Sequence, residues 1–109
     1  MKIPADAVIS DDKLSRYLLH PRPRDDKSRF LVRLGFTREN PEALRRAIKA
    51  LALSAEAVED ARNEYGVLYC AAGALEGPTG QARIVTVWIR WRRDGTFHFV
   101  TLKPFREEV

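Results

Sequence analysis

One cysteine, Cys70, stands alone in this sequence, so no disulfide can close within the chain. With two histidines and that one cysteine, nothing has the spacing of a zinc site. No apolar run approaches the ~18 residues needed to span a bilayer. The opening MKIPADAVIS lacks the apolar stretch of a signal peptide, so a reducing cytoplasm is the expected compartment and no membrane is expected as partner. Repeats, linkers and low-complexity tracts are missing. Disorder would need fewer apolar residues and more net charge than 45% hydrophobic and +4. Gly77-Pro78-Thr79-Gly80 lacks the lysine and helix of a phosphate-cradling loop. Asp11/Asp12 and Asp25/Asp26 are adjacent pairs at presumed helix starts, where capping accounts for them. Neither a metal nor a cofactor is expected.

What is present is a chain of 109 residues, the size of one domain spanning 1–109. Its charge is unevenly spread. Between Arg83 and Arg106 six basic residues meet one acid, Asp94. Most are arginines, whose planar fork suits phosphate and carboxylate. A polyanion or an acidic protein is the partner this implies.

Helical periodicity fills the first half. Ser10 is placed to cap a helix whose stripe is Leu14, Tyr17 and Leu18, ended by Pro21 and Pro23. A second helix begins near Asp25/Asp26, carries Lys27, Phe30, Leu31 and Leu34, and stops at Gly35. Asn40-Pro41 opens a third, with Leu44, Ala47, Ile48 and Leu51 inward. Ala55 and Val58 keep that spacing, so this helix either breaks at Ser54 or continues to Ala61. After Glu64 the period changes to that of strands: from Tyr65, from about Ala82 to Arg92, and from Thr96 to about Lys103, with an optional short strand at Ala7–Ile9. The fold class is α+β: about three N-terminal helices on one face of a C-terminal antiparallel meander of three to four strands.

Asp94-Gly95 reads as a two-residue hairpin turn. Counting outward, Arg90 faces Phe99 and Trp88 faces Thr101. Val85, Val87, Ile89, Trp91, His98, Val100 and Leu102 then form the core face. Thr86, Trp88, Arg90, Arg92, Phe97, Phe99, Thr101 and Lys103 form an open one, where cations meet phosphates and rings stack on bases. A merely solvated face with aromatics chosen for strand propensity is the plain alternative.

Cleaving RNA without metal takes a base for the 2′-hydroxyl, an acid for the leaving oxygen and cations for the phosphorane. His98 maps to the core face and reads as structural. His20 ends the first helix, where it can titrate near neutral pH or simply face the helix terminus. Lys27 heads an apolar stripe, so its stem points toward the core and its ammonium either snorkels or reaches the sheet beside a substrate phosphate. The expected catalytic group is Lys27 and His20 with Thr101 and Lys103. Arg90, Trp88, Thr86, Arg92 and Phe99 are expected to bind RNA, with Arg29 as a surface contributor.

Taken together, Leu14-x-x-Tyr17-Leu18-Leu19-His20-Pro21, Lys27-x-Arg29-Phe30, Leu34-Gly35-Phe36, Tyr65-Gly66-x-x-Tyr69, Gly77-Pro78-x-Gly80, Thr86-Val87-Trp88-Ile89 and Val100-Thr101-x-x-Pro104 resemble an uncharacterised bacterial domain family. Its members occur at the C-terminal tips of polymorphic toxins, as tails of phage head proteins and as small free-standing proteins. The layout is similar to the barnase/EndoU/colicin/RelE-like ribonuclease toxins. Two departures stand out: Lys103 where the family has tyrosine, and Arg22-Pro-Arg-Asp-Asp26 where it commonly carries glycine. The resemblance implies a metal-independent endoribonuclease toxin acting on single-stranded RNA. It also implies a small antitoxin or immunity protein as partner, with self-association left open. The alternative is a non-catalytic protein- or nucleic-acid-binding module using the same basic face.

Overall fold

The computed structural model describes residues 1–19 and 27–105. It is an α+β arrangement of short helices and a four-stranded antiparallel sheet. A π-helical turn spans Lys13–Leu18, followed by helices α1 (Ser28–Arg33) and α2 (Pro41–Ser54). Strands β1 (Ala57–Arg62), β2 (Gly66–Gly77), β3 (Gly80–Trp91) and β4 (Phe97–Pro104) follow, and lie side by side in that order.

Local signals account for the helix ends. The Ser10 hydroxyl accepts the Lys13 amide at 3.2 Å, as a capping residue should. Past α1, Gly35 takes φ +96°, while Phe36 N donates to Leu31 O (3.1 Å) and Gly35 N to Val32 O (2.9 Å). That is a Schellman stop, and buried Phe36 and Leu31 supply its apolar contact. Pro41 occupies the first turn of α2 behind Asn40, and Leu44, Ile48 and Leu51 are its buried stripe. The first segment is wider than an α-helix: Leu19 N donates to Leu14 O, five residues back. At 100° per residue an α-helix would put Leu19 about 140° from Leu14. The i→i+5 turn lets Leu14, Leu18 and Leu19 all bury.

α2 ends at Ser54, and residues 57–62 form the edge strand β1 where one expectation had the helix continue. Five of these six residues are exposed, so β1 has no inward apolar period to betray it. Its pairing with β2, from Ala57↔Ala71 to Arg62↔Val67, makes it a strand. The optional strand at Ala7–Ile9 is a single parallel bridge from Val8 to His98 on the β4 edge.

The sheet face expected to lie open is the one the helices cover. Thr86, Trp88 and Phe99 are buried with Ile84, Phe97 and Leu102 beneath α2 and the leucines of the π-turn. Val85, Val87, Val100 and Trp91 point outward and are only half-buried. The physical reason is that both rows carry large apolar side chains, so alternation alone does not choose between them; the row with Trp88, Phe97 and Phe99 packs under the helices, while its cations Arg90 and Arg92 fall at the exposed hairpin end. Two polar groups accept burial because they satisfy each other. Trp88 Nε1 donates to Thr86 Oγ1 (2.9 Å), which donates to Ala71 O (2.8 Å).

Register differs as well. The β3–β4 connection is a four-residue loop, Arg92–Gly95, with Trp91 N donating to Thr96 O and Gly95 N to Trp91 O, each at 2.8 Å. Arg90 therefore faces Phe97, and Trp88 faces Phe99. A bulge at Val100 then pairs Val87 with Thr101 and Thr86 with Leu102, which sends Leu102 inward and Lys103 outward.

Candidate functional site

Three side chains meet at the β4 edge. Tyr17 comes from the π-turn, Lys27 from the residue before α1, and Thr101 from the bulged stretch of β4. Lys27 Nζ donates to Tyr17 Oη at 3.1 Å and to Thr101 Oγ1 at 3.2 Å, and the two hydroxyls lie 3.2 Å apart. All three are half-buried. Folding brings them together from positions 10 and 74 residues distant from Lys27.

The electrostatics are lopsided toward the positive. The ammoniums of Lys13 and Lys27 each lie 5.2 Å from the centre of the Tyr17 ring. Hydrogen bonding with Thr101 first, then with Lys27, holds the Tyr17 phenol below its ordinary pKa, outweighing the opposing effect of burial. An ammonium carries three N–H donors, so two bonds to hydroxyls leave one for a ligand oxygen. A cation, an acidified phenol and a hydroxyl within one hydrogen-bonded triangle can hold a phosphoryl oxygen and pass it a proton.

Of the residues expected to act, the structure unites Lys27 with Thr101. Lys103 is exposed two residues further along β4 and makes no hydrogen bond to that pair; its charge acts instead on the outward-facing Cys70. His20 lies outside the described residues. Arg29 is exposed on α1, and Arg90 and Arg92 are exposed at the β3–β4 loop. Thr86, Trp88 and Phe99 are 0%, 0% and 3% exposed, so the expectation that they touch RNA is corrected: the helices already occupy that face. His98, expected on the core face, is half-buried beside outward-facing Trp91, its Nε2 2.9 Å from Thr96 Oγ1 and its ring edge-on to the indole. Tyr17 belongs, by its spacing in the sequence, to an apolar stripe, which gives it no catalytic role. The signal that could have found it is its hydroxyl, which needs a partner wherever the ring packs against a core.

No group of three or more His, Cys, Asp or Glu among the described residues is placed to hold a metal ion. No described helix is long and apolar enough to cross a membrane.

Residues 4–106 match the family model DUF6883, a domain of unknown function, and the chain belongs to that family. No curated protein and no solved structure matches it significantly.

Proposed function

We propose that this domain is a metal-independent endoribonuclease of the toxin type, working in the cytoplasm and held in check by a small partner protein. The observation that carries the reading is the Lys27–Tyr17–Thr101 triangle, a cation bonded to a phenol whose pKa is lowered. In the reaction the 2′-oxygen attacks the adjacent phosphorus as its proton leaves. The bond to the 5′-oxygen breaks, and that oxygen takes a proton, giving a 2′,3′-cyclic phosphate and a 5′-hydroxyl. Tyr17 is the proton donor to the leaving oxygen, Lys27 meets the charge on the phosphorane, and Thr101 fixes the phenol. His20, three residues after Tyr17 in sequence, is the proposed acceptor of the 2′-proton. Lys103, though outside the triangle, stays the proposed substitute at the position where relatives carry tyrosine.

The test is cleavage of labelled single-stranded RNA in a strong chelator, alongside thermal melting of each variant. Activity persists in chelator, and Lys27→Ala or Tyr17→Phe lowers it about a hundredfold or more, as for loss of a positioned catalytic group. Loss of activity matched by loss of folded protein would sink the catalytic assignment. A second reading has its own support: the same triangle ties the π-turn and α1 to the sheet edge, as a structural clamp would. If purified wild-type protein leaves RNA intact and both variants only melt earlier, the domain is a non-catalytic binding module.

A further inference from the structure

A second basic site stands at the other hairpins. The β1–β2 and β3–β4 turns lie side by side, pinned by the bond from Arg92 N to Tyr65 O (2.8 Å). Between them is a cleft of about 280 Å³, lined by Arg62, Arg90, Arg92 and Asn63 over the backbone of Gly66 and Gly95. A water claims roughly 30 Å³ of liquid, so a phosphate with its ester arms fits. The floor is closely packed: a Cβ on Gly66 would lie 2.0 Å from Arg90 O, so only glycine fits there. No carboxylate among the described residues lines it. Glu59 is engaged by Arg62 (2.9 and 3.1 Å), and Asp94 faces its own loop through Thr96 N (3.0 Å) and Thr96 Oγ1 (2.7 Å). Arg90 and Arg92 make no ion pair or side-chain hydrogen bond among the described residues. Asn63 Oδ1 accepts the amides of Tyr65 and Gly66 (2.8 and 3.1 Å), which leaves its NH₂ as a further donor.

One aromatic ring, Trp91, lines the cleft, and a second, Tyr65, packs against it. Tyr65 is 60% exposed, held edge-on against half-buried Trp91 with centroids 6.5 Å apart. An arginine cleft beside an open, braced ring matches single-stranded nucleic acid: guanidinium forks take the phosphodiester and the ring takes a base. An acidic peptide would use the cations but not the ring. We propose that the paired hairpin turns form a subsite for single-stranded polynucleotide, with a phosphate between Arg90 and Arg92 and a base on Tyr65. The choice of RNA as the strand rests on the ribonuclease reading; the cleft does not.

Binding is measured by fluorescence anisotropy on the Lys27→Ala protein, which consumes the probe about a hundredfold or more slowly if that reading holds. The probes are a labelled single-stranded oligoribonucleotide and its deoxy counterpart, across a range of salt. Arg90→Ala/Arg92→Ala weakens binding at least tenfold and flattens the salt slope by about 1.4, for two contacts at ~0.7 each. Tyr65→Ala, which removes no charge, weakens it at least ~5-fold, the lower end for one stacked base. All these side chains are at the surface, and a melt confirms that the fold is kept. A control, Arg38→Ala/Arg46→Ala, removes the same charge from exposed positions elsewhere. Equal loss in the control, no loss in Tyr65→Ala, or polyglutamate displacing RNA at matched charge would overturn the subsite. Preference for RNA over DNA, or none, distinguishes which strand it takes; both support it. Cleavage by wild-type that survives with binding indifferent to Arg90 and Arg92 overturns the subsite alone. Intact RNA with binding as expected overturns the ribonuclease reading alone.

Discussion

Thr86 has no exposed surface, yet its hydroxyl takes the Trp88 indole N–H and gives its own proton to Ala71 O. Thr86→Val keeps the shape and removes both bonds, leaving a buried donor and a weakened acceptor. The expected cost is about 1–3 kcal/mol in chemical denaturation, from the unsatisfied groups. A neutral outcome would mean that the indole finds another acceptor. Tyr17 gives a second test at this scale. Its folded pKa is depressed, so the stability its ionisation adds is present above the unfolded phenol's pKa and fades as pH falls through the lowered value; near neutrality only the hydrogen bonds of the neutral phenol separate it from Phe. In an absorbance titration one of the three tyrosines should ionise early. Thr101→Ala and Lys27→Ala should each move it back up; three ordinary phenols would mean that the triangle does not form in solution.

At the scale of elements, the π-turn supports that phenol. Leu14, Leu18 and Leu19 all reach the core because the turn is wide, and Tyr17 stays at their flank beside Thr101. Deleting Ser15 would bring the three leucines to the i, i+3, i+4 spacing of an α-helix. Tyr17 would then stand two residues after Leu14, on the far side from the core. The domain should keep its fold by circular dichroism while the early phenol titration disappears; an unchanged titration would show that the wide turn has no part in placing Tyr17. Elements whose signals are local were legible in sequence: the Ser10 cap, the Gly35 stop, Asn40-Pro41, and the Gly77–Gly80 turn, where those two glycines pair across Pro78-Thr79. β1 was not, because an exposed edge strand is defined by its neighbour rather than by its own period. Lys27 and Thr101 were legible as an edge pair, since one headed a stripe and the other closed a strand. The bulge and the four-residue loop were not: the loop leaves the alternation along each strand intact, and the bulge at Val100 shifts it with no glycine or proline to mark the place.

Across the whole molecule, one face of the sheet is roofed by helices and the other is bare of helices among the described residues. The choice between them rested on volume: Trp88, Phe97 and Phe99 need the depth beneath the helices, while Val85, Val87 and Val100 shield one another in the open. The sheet's two edges are treated differently from its bare face. Val8 bonds across the β4 edge, accepting from Phe99 N and donating to Phe97 O at 2.8 Å each. The β1 edge carries Glu59, Asp60 and Arg62 around its bulge. Growth of a fibril needs a straight, uncharged edge onto which strands add. Here the edges deny that route, while the bare face permits contact only flat against another surface. A strand added at either side would meet Val8 along β4 or the charges of β1, so edge-to-edge addition is disfavoured.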